Sequence, residues 1–128
     1  MRRLLAVTAI YCLTACAPAQ AHHYARRVVT ADVIAHPAGC PRTAFCGCGV
    51  SVRVFGRPIR ELFLARNWYR YPRAPLAAGN VIVKPHHVQY IESIEGGTPI
   101  CYDPNSGGHL TRRHACQLAG GTIVHPGG

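Results

Sequence analysis

The chain has 128 residues, carries 14 basic against 5 acidic side chains, and holds 7 cysteines. That length leaves room for one small domain with a modest core and excludes a second. The basic excess points to an anionic partner or serves only to keep a small protein soluble, and charge alone supports both readings equally.

The chain opens "MRRLLAVTAIYCLTACAPAQAHHYARR". Two arginines, an apolar run from Leu4 to about Ala15 and a cluster of small residues form the n-, h- and cleavage regions of a secretory signal over residues 1–21. The run is too short for a settled membrane span. Two processing readings stand side by side. Ala19-Gln20-Ala21 fits an A-x-A site that releases a soluble protein starting at His22, whereas Leu13-Thr14-Ala15-Cys16 resembles a bacterial lipobox, in which Cys16 is lipidated and attaches the domain to a membrane. Either way the protein is expected to be exported: periplasmic, outer-membrane-associated or secreted. Export turns the basic excess, twelve basic against five acidic residues once Arg2 and Arg3 are removed, away from nucleic acid and toward an anionic envelope polymer or lipid surface.

Residues 22–39 are poor in periodic pattern and read as an arm, with one strand expected over residues 28–34; residues 40–128 form the domain. An apolar segment from Phe45 to Tyr71 is interrupted at Gly56-Arg57-Pro58. Its second half, "IRELFLARNWY", places Ile59, Leu62, Phe63 and Arg66 at helical spacing and predicts a helix. Its first half alternates as "GVSVRVFG", yet Cys46, Val50 and Val54 also share a helical face, so local periodicity leaves strand and helix open. After the loop "PRAPLAAGN" come short strands at residues 81–84, 87–94 and 99–102, then a last one at 121–126. Helices first and strands afterwards predict an α+β fold, helices packed on one face of a small antiparallel sheet.

A cysteine ahead of a helix, a His pair opening a strand some forty residues later, and the polar turn "DPNSGG" follow the Cys, His, Asn order of papain-type proteases. That chemistry needs these types. Unpaired amides and the helix dipole acidify a thiol at a helix N-terminus, an imidazole protonates the leaving amine, and an amide or carboxylate on the other ring nitrogen fixes the tautomer.

"FCGCGV", "LARNWYRYP", "AAGNVIVKPHHVQYI" and "YDPNSGGH", in that order over residues 40–125, resemble the NlpC/P60 and CHAP superfamily of papain-like peptidoglycan hydrolases, in particular its small proteobacterial members. The resemblance implies a papain-like fold, a helix after Cys46, and cofactor-free cleavage of amide bonds in peptidoglycan by a protein acting as a monomer. It makes Cys46 the nucleophile, His87 the general base and acid, and Asn105 the orienting residue; Trp68 and Arg66 match its "ARNW" segment as brace or cleft wall. His86 is the alternative to His87, and strand alternation lets only one of the two serve. Asp103 is the alternative to Asn105, but Pro104 restricts Asp103 to an extended conformation and is expected to leave Asn105 to turn inward. Gly79-Asn80 replaces the family's Gly-Asp, and Gln89 stands where a glycine often follows "HV", a bulk expected to narrow the cleft.

Cleavage after Ala21 leaves Cys40, Cys46, Cys48, Cys101 and Cys116, an odd count that fits two disulfides and one free thiol in an oxidising compartment. The expected pairs are Cys40 with Cys48 and Cys101 with Cys116, which spacing alone does not fix. Two rival functions stand. One is a catalytically silent wall-binding or envelope-interaction module on the same fold. The other is a small metal-binding protein using some of Cys40, Cys46, Cys48, His86, His87, His109, His114 and Cys116; these do not fall into two C-x-x-C or H-x-x-x-H halves, and no metal is expected.

Overall fold

Six antiparallel strands in the order β1-β5-β4-β3-β2-β6 and a single α-helix make a small α+β fold, seen in a computed structural model that describes residues 31–127. The signal segment, Cys16 and the first part of the arm lie outside the described residues. The strands are β1 Asp32–Ile34, β2 Val81–Lys84, β3 His87–Glu95, β4 Thr98–Ser106, β5 Leu110–Ala115 and β6 Thr122–Val124.

The helix α1, Cys46–Phe55, settles the ambiguous segment. It buries Val50 against Leu62, Trp68, Val81, Val83, Val88 and Val124, the main core on one face of the sheet. Ile82 and Ile91, alternating in their strands with that set, form a smaller cluster on the other face with Cys101, Cys116 and Ile123. The "CGCG" run gives each residue its own task. A side chain at Gly47 would overlap the carbonyls of Leu62 and Phe63, and one at Gly49 would overlap the Pro104 ring, so the two glycines let α1 lie directly on the 62–63 backbone and on β4. Cys48 is bonded to Cys40, which ties the incoming arm to the helix. Glu92, only 10% exposed, bridges Arg53 on α1 and Arg113 on β5, and the two guanidiniums outweigh its burial to hold its carboxyl below the usual range.

Residues 59–69 do not form the helix expected of them. Two short 3-10 segments, Arg60–Leu62 and Ala65–Arg70, flank an extended Leu64. Side chains take the carbonyls an α-helix would use: Asn67 Nδ2 donates to Glu61 O at 2.6 Å, and the buried Trp68 indole donates to Leu62 O at 2.8 Å. Trp68→Phe keeps an aromatic ring at the site but is smaller than the indole and leaves that carbonyl without its donor. It is expected to lower stability by about 1–3 kcal/mol in a denaturant titration, with the slope unchanged.

The strands expected at 81–84 and 87–94 are present, and that expected at 121–126 is present over the shorter span of β6; of the one expected at 28–34, β1 covers Asp32–Ile34, and residues 28–30 lie outside the described residues. Two features depart from expectation. β4 runs on through Asp103, Pro104 and Asn105, so "DPNSGG" is strand before it is turn, and the register shifts between Asp103 and Ser106, where proline has no N–H to give the ladder. "LTRRHA" forms β5, a strand whose side chains carry almost no apolar alternation. Asn80 is buried; it donates to Pro75 O at 2.9 Å and accepts from His125 Nδ1 at 2.8 Å, pinning the loop before β2 to the segment after β6.

Candidate active site

Cys46 is the first residue of α1, and the chain reaches it through Ala44, a non-glycine residue at φ 50°. A left-handed alanine costs about 1–2 kcal/mol. It turns the backbone so that the cysteine, rather than a loop residue, opens the helix. The first turn contains no acidic residue, so no carboxylate competes for the positive end of the helix dipole beside Cys46. Cys46 is 5% exposed, and its sulfur lies 3.9 Å from the His86 carbonyl oxygen.

His87 opens β3 directly after the Pro85-His86 turn. Its Nε2–H donates to Asp103 Oδ1 at 2.6 Å, which leaves Nδ1 for the sulfur of Cys46. Burial disfavours the charged ring, but the hydrogen bonds to Asp103 and then to Cys46 outweigh it and push the His87 pKa up to about 9. The ring is therefore an imidazolium at neutral pH. Asp103, 2% exposed, also feels burial opposing its charge, yet hydrogen bonds from His87 and His114 hold its carboxyl below the ordinary range.

The orienting group on His87 is thus Asp103, and the expectation of Asn105 is corrected. The extended conformation that Pro104 imposes keeps Asp103 in the strand and points its carboxylate inward. Asn105, at φ 60°, instead takes a hydrogen bond from His109 Nδ1 at 3.1 Å. His86 is exposed and contributes its carbonyl to Cys46, not its ring to Asp103. Gln89 does not narrow the cleft. It is buried behind the site, donating to Asp103 Oδ2 at 3.0 Å and accepting the Gln117 amide at 3.2 Å. His114, not singled out as a member of the site in the sequence, donates from Nε2 to Asp103 Oδ2 at 2.7 Å.

In front of Cys46 lies an open cleft of about 480 Å³, lined by Ala44, Phe63, Leu64, Ala65, Arg66, Tyr69, Pro85, His86 and Asn105. Trp68 is buried behind it as a brace, and Arg66 stands on its wall. The expected disulfides Cys40–Cys48 and Cys101–Cys116 are both formed, and Cys46 is the free cysteine among the described residues. Those bonds remove Cys40, Cys48 and Cys116 as metal ligands, and no group of three or more ligating side chains suited to a metal occurs among the described residues. Protein processed after Ala21 is expected to show one thiol when titrated unreduced, and peptide mapping after alkylation should place the label on Cys46. A count of three or five, or label on Cys48 or Cys40, contradicts this arrangement.

No family model, curated protein or solved structure matches this chain.

Proposed function

We propose that the protein is an exported thiol hydrolase of amide bonds, built on a papain-like scaffold of the NlpC/P60 and CHAP kind and acting on the peptides of peptidoglycan. The observation that carries the reading is the pair of His87 Nε2 with Asp103 Oδ1 at 2.6 Å, which leaves Nδ1 free for the neighbouring Cys46, the free thiol that opens α1. A cysteine placed only for a disulfide would need neither partner. The two disulfides support an oxidising compartment, and the exposed arginines suit an anionic polymer.

In the reaction the Cys46 thiolate attacks the scissile carbonyl carbon, and the amide N–H of Cys46, unpaired at the helix start, donates to the oxyanion. The His87 imidazolium gives its Nδ1 proton to the departing amine, leaving a thioester on Cys46. Neutral His87 then takes a proton from water, whose oxygen displaces the sulfur, and the acid product leaves with the thiolate and imidazolium restored. Asp103 moves no proton; it stabilises the imidazolium and fixes its orientation.

Purified sacculi incubated with the protein are expected to release soluble fragments whose masses correspond to hydrolysis of one class of amide bond. Intact sacculi after exposure to folded protein would remove peptidoglycan as the substrate.

A further inference from the structure

We infer that His114 is a positioning residue of this site: together with Gln89 it occupies one carboxylate oxygen of Asp103 and so keeps the other directed at His87. The inference rests on the reading of Cys46, His87 and Asp103 as a thiol hydrolase site. An aspartate carboxylate turns easily about its last bond, and one held at a single oxygen can swing away from its partner. Here Oδ1 accepts from His87 at 2.6 Å, while Oδ2 accepts from His114 at 2.7 Å and Gln89 at 3.0 Å.

Gln89 is anchored at its far end, where its carbonyl oxygen accepts the Gln117 amide; His114 Nδ1 lies 2.7 Å from the Ala115 carbonyl, to which it donates only when both ring nitrogens carry protons. The strands that carry the pair are also joined covalently. Cys101 stands two residues before Asp103 and Cys116 two after His114, so their disulfide resists any slip of β5 along β4 that would part His114 from the carboxylate. The other charged groups nearby are otherwise engaged or belong to the site. Arg112, opposite Asp103 in the register, donates to the Gly107 carbonyl at 2.5 Å; Lys84 stands opposite His87; and Cys46 faces His87.

The test follows the Asp103 carboxyl carbon by NMR across pH, with steady-state kinetics beside it, in the wild type, His114→Ala and His114→Gln. His114→Ala removes a donor that keeps Asp103 ionised, so the carboxyl should titrate at higher pH than in the wild type. Turnover should fall by about tenfold with KM unchanged, the size of effect known for a group acting through another. His114→Gln, whose amide can donate, should recover most of both. His114→Leu fills the volume without a donor and must behave as the alanine variant, which covers a failure of the latter to fold. An unchanged Asp103 titration or unchanged kcat in folded His114→Ala or His114→Leu overturns the inference. If the wild type proves inactive, the hydrolase reading falls, while the titration still decides whether His114 holds Asp103.

Discussion

Cys46→Ala and His87→Ala are each expected to abolish hydrolysis, lowering turnover by about 10⁴-fold or more, with circular dichroism close to that of the wild type; the thermal midpoint of Cys46→Ala should stay near that of the wild type, while that of His87→Ala should fall, because buried Asp103 loses a partner. The size follows from their acting as a unit. Without the sulfur no thioester forms, and without the ring nothing protonates the leaving amine, so the double variant should be little worse than either single one. The fold tolerates both changes because neither side chain is a large part of the core. Cys46 sits at the edge of the main cluster, and His87 is only half-buried at the start of a strand. His86→Ala is the control, since it removes an exposed ring and leaves the backbone carbonyl that meets Cys46. Initial rates of fragment release from sacculi measure all four proteins. Retention of a tenth or more of the rate by Cys46→Ala rules the thiol out as nucleophile.

Asp103→Asn is expected to cost about 10²–10⁴-fold in turnover and to move the pH dependence as well. The sign follows from the partners of His87. Burial depresses its pKa, whereas the hydrogen bond and charge of Asp103 raise it, with Cys46 adding to them, to about 9 against an ordinary 6.5. An amide in place of the carboxylate removes the charge, so the alkaline limb of the rate profile should move down from about 9 toward 6.5. The same linkage acts on folding. A histidine whose pKa is raised by folding contributes stability that is complete below 6.5 and is lost as pH rises through about 9, and Asp103→Asn shrinks that contribution. Asn105→Ala should leave the limb in place, because its side chain binds His109 rather than His87; as a residue of the cleft wall it should act on KM instead. A profile of turnover against pH for the three proteins checks both statements.

Much of this site was legible in the sequence because its chemistry lies in local order. A cysteine before a helix, a histidine at the mouth of a strand and a polar group on the next strand are one-dimensional features. The pairing of Cys101 with Cys116 also came out as expected. Asp103 and Asn105 are harder to separate, since the apolar pattern stops at residue 102 whereas β4 continues through Pro104 and shifts register there. His114 was out of reach for a different reason. "LTRRHA" has no apolar period, because Arg112, Arg113 and His114, three residues in succession, are spent on the Gly107 carbonyl, Glu92 and Asp103 instead of on a core. The one available signal was the Gly107-Gly108 turn between two segments of strand length. The helix expected over "IRELFLARNWY" failed because Asn67 and Trp68 give their side-chain donors to the backbone, a competition that hydrophobic spacing does not record.

A nitrogen-detected NMR titration of the His87 ring tests most directly the claim that Asp103 and Cys46 hold an imidazolium between them, and it needs no substrate. Both ring nitrogens of His87 should stay protonated through neutral pH and titrate at about 9. A ring that loses its proton near 6.5, in a folded protein with both disulfides formed, contradicts the account.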